Sequence, residues 1–331
     1  MAAAYQTKHW SGTGKLRGGT FGVRFFVTAL RVLGVRLTYV LLVPVVLTLS
    51  FISPDIAATM AFHRRMFGPA GALRRRWIVI RHFFSFGRAI IDRTAILAGM
   101  TKRFSFTFDG ERHLRDAVAG GKGVLLLTAH VGNWEVAGQL LSRIDVPVNV
   151  TGFDNEDPAV RELLNKASKQ KFKLIPLSGA PTDVIELVAA LRRGELVCML
   201  GDRAYGGPTA RVPFLGDLAS FPVGPYVLAA IAGAPLVQVF SLRESGGHYH
   251  FFGFPPVPPV HPPRPERDAH LRTCAAQFAA NLESIVKRDP LQWYNFFPFW
   301  DEPKAGVAHQ EPQGSAAPAA VEVKPAVRTN F

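Results

Sequence analysis

Cysteine, acid and metal-ligand spacing are what this sequence has least of. Two cysteines in 331 residues, Cys198 and Cys274, exclude a disulfide framework. One falls in an apolar strand and the other in an amphipathic helix, so both are expected as reduced core residues. No second His or Cys stands at ligand spacing from His130, which argues against a metal site. Charged residues make up 19% of the chain, below the roughly 25% of ordinary soluble domains. Acid is also outnumbered, 25 Asp and Glu against 38 Lys and Arg, for a net charge of +13. Such an excess suits nucleic acid, an anionic membrane surface or an acidic protein. No nucleic-acid-recognition motif accompanies it, so nucleic acid is not an expected partner. Residues 1–20 are polar, Gly-rich and basic, with Lys8, Lys15 and Arg17, and lack the pattern of a signal peptide.

Charge is missing altogether from Leu37 to Pro54, where most positions are apolar. A run of this length sits at the lower limit for a membrane-spanning helix, about 20 residues being usual. Pro44 predicts a kink in it. Basic residues flank it on both sides, Arg24, Arg31 and Arg36 before and Arg64, Arg65 and Arg74 to Arg76 after, so charge gives no orientation. A single span, a helix lying in the cytoplasmic leaflet, and a buried core helix all remain open. Asp55 predicts the cap of a helix running to Phe67, stopped by Gly68-Pro69. From Arg74 to Leu97, Trp77, Ile78, Ile80, Phe83, Phe84, Phe86 and Ile90 interleave with arginines and His82. That pattern fits a helix on anionic lipid, or a packing helix with a solvated basic edge. Residues 21–100 thus read as a helical, membrane-associated arm.

Beyond the arm, strand and helix patterns alternate. Phe104 to Phe108, Val124 to Leu127, Val146 to Gly152, Phe172 to Pro176 and Leu196 to Leu200 read as strands. Between them lie helices at Glu111–Ala119, from Asp157-Pro158, and at Thr182–Arg193. The alternation predicts an α/β fold with a mainly parallel sheet flanked by helices over residues 101–302. Tyr226 to Gly233 reads as a helix, Ala234 to Phe240 as a further apolar strand, and Arg267 to Lys287 as an amphipathic helix. Gln292 to Trp300 gathers many aromatics and reads as a strand or cap. From residue 303 the chain is rich in Ala, Pro and Val without periodicity and is expected to be disordered.

The chemistry gathers where buried strands end, the place α/β sheets present their ligands. The Val124–Leu127 run leads into His130-Val-Gly-Asn-Trp-Glu135. In one helix His130 and Glu135 would lie about 140° apart. The histidine is therefore placed in a turn, with Asn133 as cap of a helix from Trp134 and Glu135 in its first turn. A carboxylate there is favoured by the helix dipole. Beside an imidazole it raises the imidazole's pKa and fixes its tautomer, giving a base for a hydroxyl. The pair has no nucleophile of its own, so the attacking group would be a substrate alcohol. A capping pair with no catalytic role is the competing reading. A second polar cluster, Gly201-Asp202-Arg203, ends the Leu196–Leu200 strand. Arg203 there suits phosphate, carboxylate or an oxyanion, while an Asp202–Arg203 pair shaping the turn is equally open.

His130-Val-Gly-Asn-Trp-Glu135 resembles the His-x4-Asp/Glu motif of the glycerolipid acyltransferase superfamily. Its wording is similar to that of the bacterial lipid A (lauroyl/myristoyl-type) acyltransferases. Asp202-Arg203 stands where that branch tends to end the strand in Asp-Gln. Arg211-Val-Pro-Phe-Leu-Gly216 and Phe221-Pro-Val-Gly-Pro225 resemble the segment after it, and Ala234 to Phe240 resembles the superfamily's fourth block. The resemblance covers roughly residues 20–300. It implies a glycerolipid acyltransferase-like fold and a membrane-associated O-acyltransferase. His130 would be the general base, oriented by Glu135, with Asn133, Trp134, Asp202, Arg203 and Arg211 binding substrate or stabilising the oxyanion. It implies no metal and no bound cofactor. The donor would be a fatty acyl thioester on acyl carrier protein or coenzyme A, and the acceptor a lipid hydroxyl. The expected place is the bacterial inner membrane, with the catalytic domain facing the cytoplasm. The Phe-Pro-Glu-Gly-Thr-Arg phosphate block of the glycerolipid members is absent, and Thr151-Gly152-Phe153 and Leu177-Ser178 replace arginines of the lipid A branch. Those departures point away from a lipid A precursor and toward another lipid, sugar or polyketide-type hydroxyl. A lipid- or carrier-binding protein without turnover is the alternative of another class.

Overall fold

In the computed structural model the described residues are 19–53, 56–137, 146–152, 172–177, 180–204 and 207–300. Residues 1–18, Asp55, the segment from Asp157-Pro158 and the tail after 303 lie outside them, with the expectations attached to each. Among the described residues three helices come first: α1 (Gly19–Ile52), α2 (Ile56–Phe67) and α3 (Ala72–Leu97). Then follow β1 (Ser105–Asp109), α4 (Glu111–Ala119), β2 (Val124–Thr128), β3 (Val148–Gly152), β4 (Phe172–Pro176), α5 (Pro181–Arg192) and β5 (Leu196–Leu200). The chain continues through β6 (Thr209–Phe214), β7 (Asp217–Pro222), α6 (Gly224–Ala232), β8 (Leu236–Arg243), β9 (His248–Gly253) and α7 (Arg267–Arg288).

Seven strands form one sheet in the order β1-β9-β8-β2-β5-β3-β4. All neighbours are parallel except β8 and β9. The expected α/β fold with a mainly parallel sheet is what forms. Its centre is β2, every residue of which is buried. Side chains alternate across a strand, and β2 shows where they go. Leu125 and Leu127 pack on one side with Phe278 and Leu282 of α7, Leu187 of α5 and Leu228 of α6. Val124 and Leu126 pack on the other with Val79 and Ile91 of α3, Leu42 of α1 and Leu114 of α4. Each such side chain contributes about 1.5–3 kcal/mol by leaving water. The amino-terminal helices therefore cover the sheet's second face.

Two local features were not foreseen. The break in α1 falls at Gly34 (φ 74°), and Pro44 sits inside a helix that continues past it. A prolyl ring removes one helical hydrogen bond, whereas a glycine free to take positive φ can leave the helical region outright. Residues 209–222, to which no strand is assigned from the sequence, form an antiparallel hairpin of β6 and β7, and the helix expected from Tyr226 follows it as α6. The hairpin's two-residue loop has positive φ at both Leu215 (52°) and Gly216 (88°). Leucine is a poor choice for that conformation, and the usual Asn-Gly signal is missing. The cost is met by tertiary contacts: Leu215 N–H donates to Glu283 Oε2 at 2.6 Å, and its side chain packs on the core.

Candidate active site

Register builds the site. β2 and β5 are parallel neighbours with Thr128 opposite Leu200. The ladder runs one step further, Gly201 N–H donating to Thr128 O at 2.8 Å. Two residues beyond each strand end are His130 and Asp202, so the register sets them face to face. His130 Nδ1 lies 2.8 Å from Asp202 Oδ1, and the His130 main-chain N–H donates to Oδ2 at 3.0 Å. Trp293 Nε1–H donates to the same Oδ2 at 3.0 Å. A carboxylate taking three hydrogen bonds is strongly favoured in its charged form. Burial raises the Asp202 pKa, but the His130 ring, the hydrogen bonds from His130 and the Arg203 charge outweigh it and hold it well below the usual carboxylate range. His130 is pushed down as well, first by burial and then by the Arg203 charge, against the opposing pull of Asp202. Both directions describe one state at neutral pH: an ionised Asp202 accepting from Nδ1–H of a neutral imidazole. The lone pair is then on Nε2 of a ring that is 18% exposed.

Glycines let these parts approach. A Cβ at Gly201 would come within 2.9 Å of Leu127 and Phe278. Gly132 has φ 62°, and a Cβ there would strike the Ser241 carbonyl of β8. The chain from Gln292 to Tyr294 lies alongside the histidine loop. Gly132 N–H donates to Gln292 O and Tyr294 N–H to His130 O, both at 2.8 Å, and Val131 bridges Trp293 antiparallel. Gln292 is itself fastened to Arg243 at the end of β8, its Oε1 accepting from the main-chain N–H and its Nε2 donating to the carbonyl, each at 2.7 Å.

The expected residues divide. His130 and Asp202 come together with Arg203 close behind, and the partner at Nδ1 is Asp202, the position first given to Glu135. Glu135 lies in a 3-10 turn, Trp134–Ala137; its side chain, and residues 138–145 over which the expected helix would continue, lie outside the described residues. Asn133 is buried, its N–H donates to Ser241 Oγ at 3.0 Å and its side-chain amide to Ala89 O at 2.9 Å. These donors are engaged with β8 and α3, so Asn133 braces the loop between them. Trp134 is half-buried beside it. Arg203 Nη2–H donates to Tyr294 O at 3.0 Å, and its guanidinium lies over the Phe297 ring at 5.1 Å. It holds the closing segment as well as lending charge. Arg211 is exposed on β6, on the opposite face from the buried Val212 and Phe214. Sequence reasoning missed Trp293 as a ligand of Asp202. The His130–Asp202 contact itself had a signal: each polar residue follows its five-residue strand at the same spacing, and parallel neighbours in register bring such residues together.

The fold and this site define an α/β protein with a histidine–carboxylate pair at the exit of its central parallel strands. The chain belongs to the family of bacterial lipid A biosynthesis acyltransferases, whose family model matches residues 28–302. It is similar to a phosphatidylinositol mannoside acyltransferase of Mycobacterium tuberculosis, 27% identical over 203 residues, 61% of this chain and 62% of that one. It is similar to another of the same name from Mycolicibacterium smegmatis, 27% identical over 190 residues, 57% of this chain and 60% of that one. The chain thus spans about 62% of the length of the first of these relatives. Among solved structures it matches a 1-acyl-sn-glycerophosphate acyltransferase from Thermotoga maritima, at TM-score 0.35 and 10% identity, over 75% of this chain and 99% of that one.

Proposed function

We propose that this protein is an O-acyltransferase that moves a fatty acyl group from a thioester to a hydroxyl of a membrane lipid. The observation that carries the proposal is the Nδ1–Asp202 bond of His130, which leaves Nε2 without a hydrogen-bond partner among the described residues. The acceptor O–H gives its proton to Nε2 as its oxygen attacks the thioester carbonyl. Asp202 keeps the ring in the Nδ1–H tautomer and stabilises the imidazolium that forms. Collapse of the tetrahedral adduct breaks the C–S bond, and the proton passes from Nε2 to the leaving sulfur. Glu135 remains a candidate second acid of the site. The basic excess favours an acidic carrier protein as donor over coenzyme A. The mycobacterial relatives are named for a glycosylated phospholipid, which supports a lipid-borne sugar hydroxyl as the acceptor class.

We further propose that the arm meets the bilayer of the inner membrane, with the site on its cytoplasmic side. Arg24–Ile52 is the described helix long and apolar enough to cross a membrane. Val32, Leu37, Val40, Val43, Leu47 and Phe51 project outward from it. Trp77 and Leu73 of α3 are exposed as well. Such a surface is larger than soluble proteins ordinarily leave in water.

His130→Ala tests the chemistry. General-base catalysis is worth about 10²–10⁴ in rate, so the variant is expected to fold and to lose at least that factor in transfer from labelled acyl thioester. A variant with near-full activity ends the proposal. A wild-type protein that retains acyl thioester without transfer or hydrolysis establishes a binding protein instead.

A further inference from the structure

Two buried histidines stand behind Trp293 and take no part in the proposed chemistry. His63 of α2 and His82 of α3 are 5% and 0% exposed. His63 Nε2 lies 3.0 Å from His82 Nδ1, and His82 Nε2 lies 3.0 Å from the Trp293 carbonyl oxygen. Burial lowers both pKa values, His63 to about 4 and His82 to about 3, the latter also through the charge His63 would carry. Both rings are therefore neutral at physiological pH.

The proton positions follow from donor and acceptor rules alone. A carbonyl oxygen only accepts, so His82 Nε2 carries a hydrogen. A neutral imidazole has one N–H, so His82 Nδ1 is bare and must accept. His63 Nε2 is then the donor. The hydrogen bonds run one way, from His63 to His82 to the Trp293 carbonyl. From the same residue the indole N–H goes on to Asp202, and Asp202 takes Nδ1–H of His130. Phe62, next to His63, meets the Trp293 ring edge-on with centroids 5.0 Å apart.

We propose that His82, backed by His63, is a positioning residue of the active site. It pins the main chain of Trp293 so that the indole holds Asp202 where His130 keeps its proton on Nδ1 and its lone pair on Nε2. The inference rests on the His130 reading above. It gives α2 and α3 a task beyond covering the sheet: they set the back wall of the catalytic pair.

His82→Leu and His82→Gln test it, because leucine fills the space without a donor while the glutamine amide restores an N–H near the Nε2 position. Three quantities are read on the full chain: thermal melting, kcat and KM, and the rate at which diethylpyrocarbonate modifies His130, resolved by mass spectrometry. That reagent attacks an unprotonated ring nitrogen and needs no acyl transfer, so it reports on the position of His130 even if the proposed reaction is not the one catalysed. In folded His82→Leu, kcat is expected to fall about 10- to 100-fold with KM within twofold, and His130 labelling to slow severalfold. His82→Gln is expected to recover both rates to within about threefold. A His82→Leu protein with wild-type kcat and wild-type labelling overturns the proposal. So does a His82→Gln protein that melts normally yet is as impaired as His82→Leu, since shape and not the donated hydrogen bond would then be what matters.

Discussion

β2 and the middle of α1 have nearly the same composition and opposite surroundings. Val124-Leu-Leu-Leu-Thr128 is buried throughout, between helices on both sides of the sheet. In α1, Val35, Leu42 and Val46 face the sheet, while Val40 and Phe51 are 62% and 63% exposed. Water penalises both kinds of surface equally. What differs is geometry. A strand offers each face a side chain every second residue and is closed by two layers. A helix apolar all round has only one side that a sheet can cover, and the rest needs another partner.

Truncation separates the two regions most sharply. Leu127→Ala is expected to destabilise the protein by about 2–5 kcal/mol, the range for deleting a packed leucine with partial collapse of the cavity. Val40→Ala in detergent is expected to cost within about 0.5 kcal/mol, as at an exposed position. Chemical denaturation of both variants reads the difference. Equal losses would mean that the outer face of α1 packs on protein, and the membrane proposal would go with it. Adding a charge sharpens the same contrast. An aspartate near the middle of a membrane helix costs about 2.5–3.5 kcal/mol. Val40→Asp is accordingly expected to move the chain from membrane to soluble fraction by roughly 100-fold, with the melting of the α/β portion unchanged. Retention at the wild-type level would place that face away from lipid.

These two regions also mark what sequence could and could not disclose. β2, β4, β5 and α4 are legible because each is a short patterned run bounded by glycine, proline or a polar turn. The strand β9 was not foreseen: His248, Tyr249 and His250 lack the apolar run that marks a buried strand, and its place is fixed by pairing with β1 and β8. Of the site, His130 announced itself by chemistry and position. The acid hydrogen-bonded to its Nδ1 was read only as a separate cluster, because proximity in sequence drew attention to Glu135, whereas the His130–Asp202 contact is set by the β2–β5 register. Trp293 was beyond reach for the same reason, some 160 residues along the chain from His130 and brought back by an antiparallel bridge to Val131.

Asp202→Asn probes the junction between strand interior and chemistry. Asparagine keeps the shape and one acceptor but loses the charge, and the His130 ring is free to change tautomer. A fall in kcat of about 10- to 100-fold is expected with little change in melting temperature. Full activity would hand the orienting role back to Glu135, for which Glu135→Gln is the matching control.

The smallest expected effect concerns pH, and its sign follows from the site's surroundings. Burial and the Arg203 charge lower the His130 pKa, while Asp202 raises it, with a net result below the ordinary value of 6.5. A base works in its unprotonated form, so kcat/KM should be flat through neutral pH, and its acid limb should fall below pH 6.5. Arg203→Gln removes a lowering charge and should move that limb toward 6.5. Asp202→Asn removes the raising charge and should move it further into acid. Acid also acts on the fold: His63 and His82 have native pKa values of about 4 and about 3, beneath the unfolded value. Their neutral states favour the folded protein fully above about pH 6.5, and that contribution is lost progressively as pH falls from there toward the native values. Melting followed at each pH distinguishes the two effects. A limb that shifts with Arg203→Gln while the melting curve stays put belongs to His130. A limb that tracks unfolding in every variant belongs to the buried pair, and His130 would no longer be the group whose protonation sets the rate.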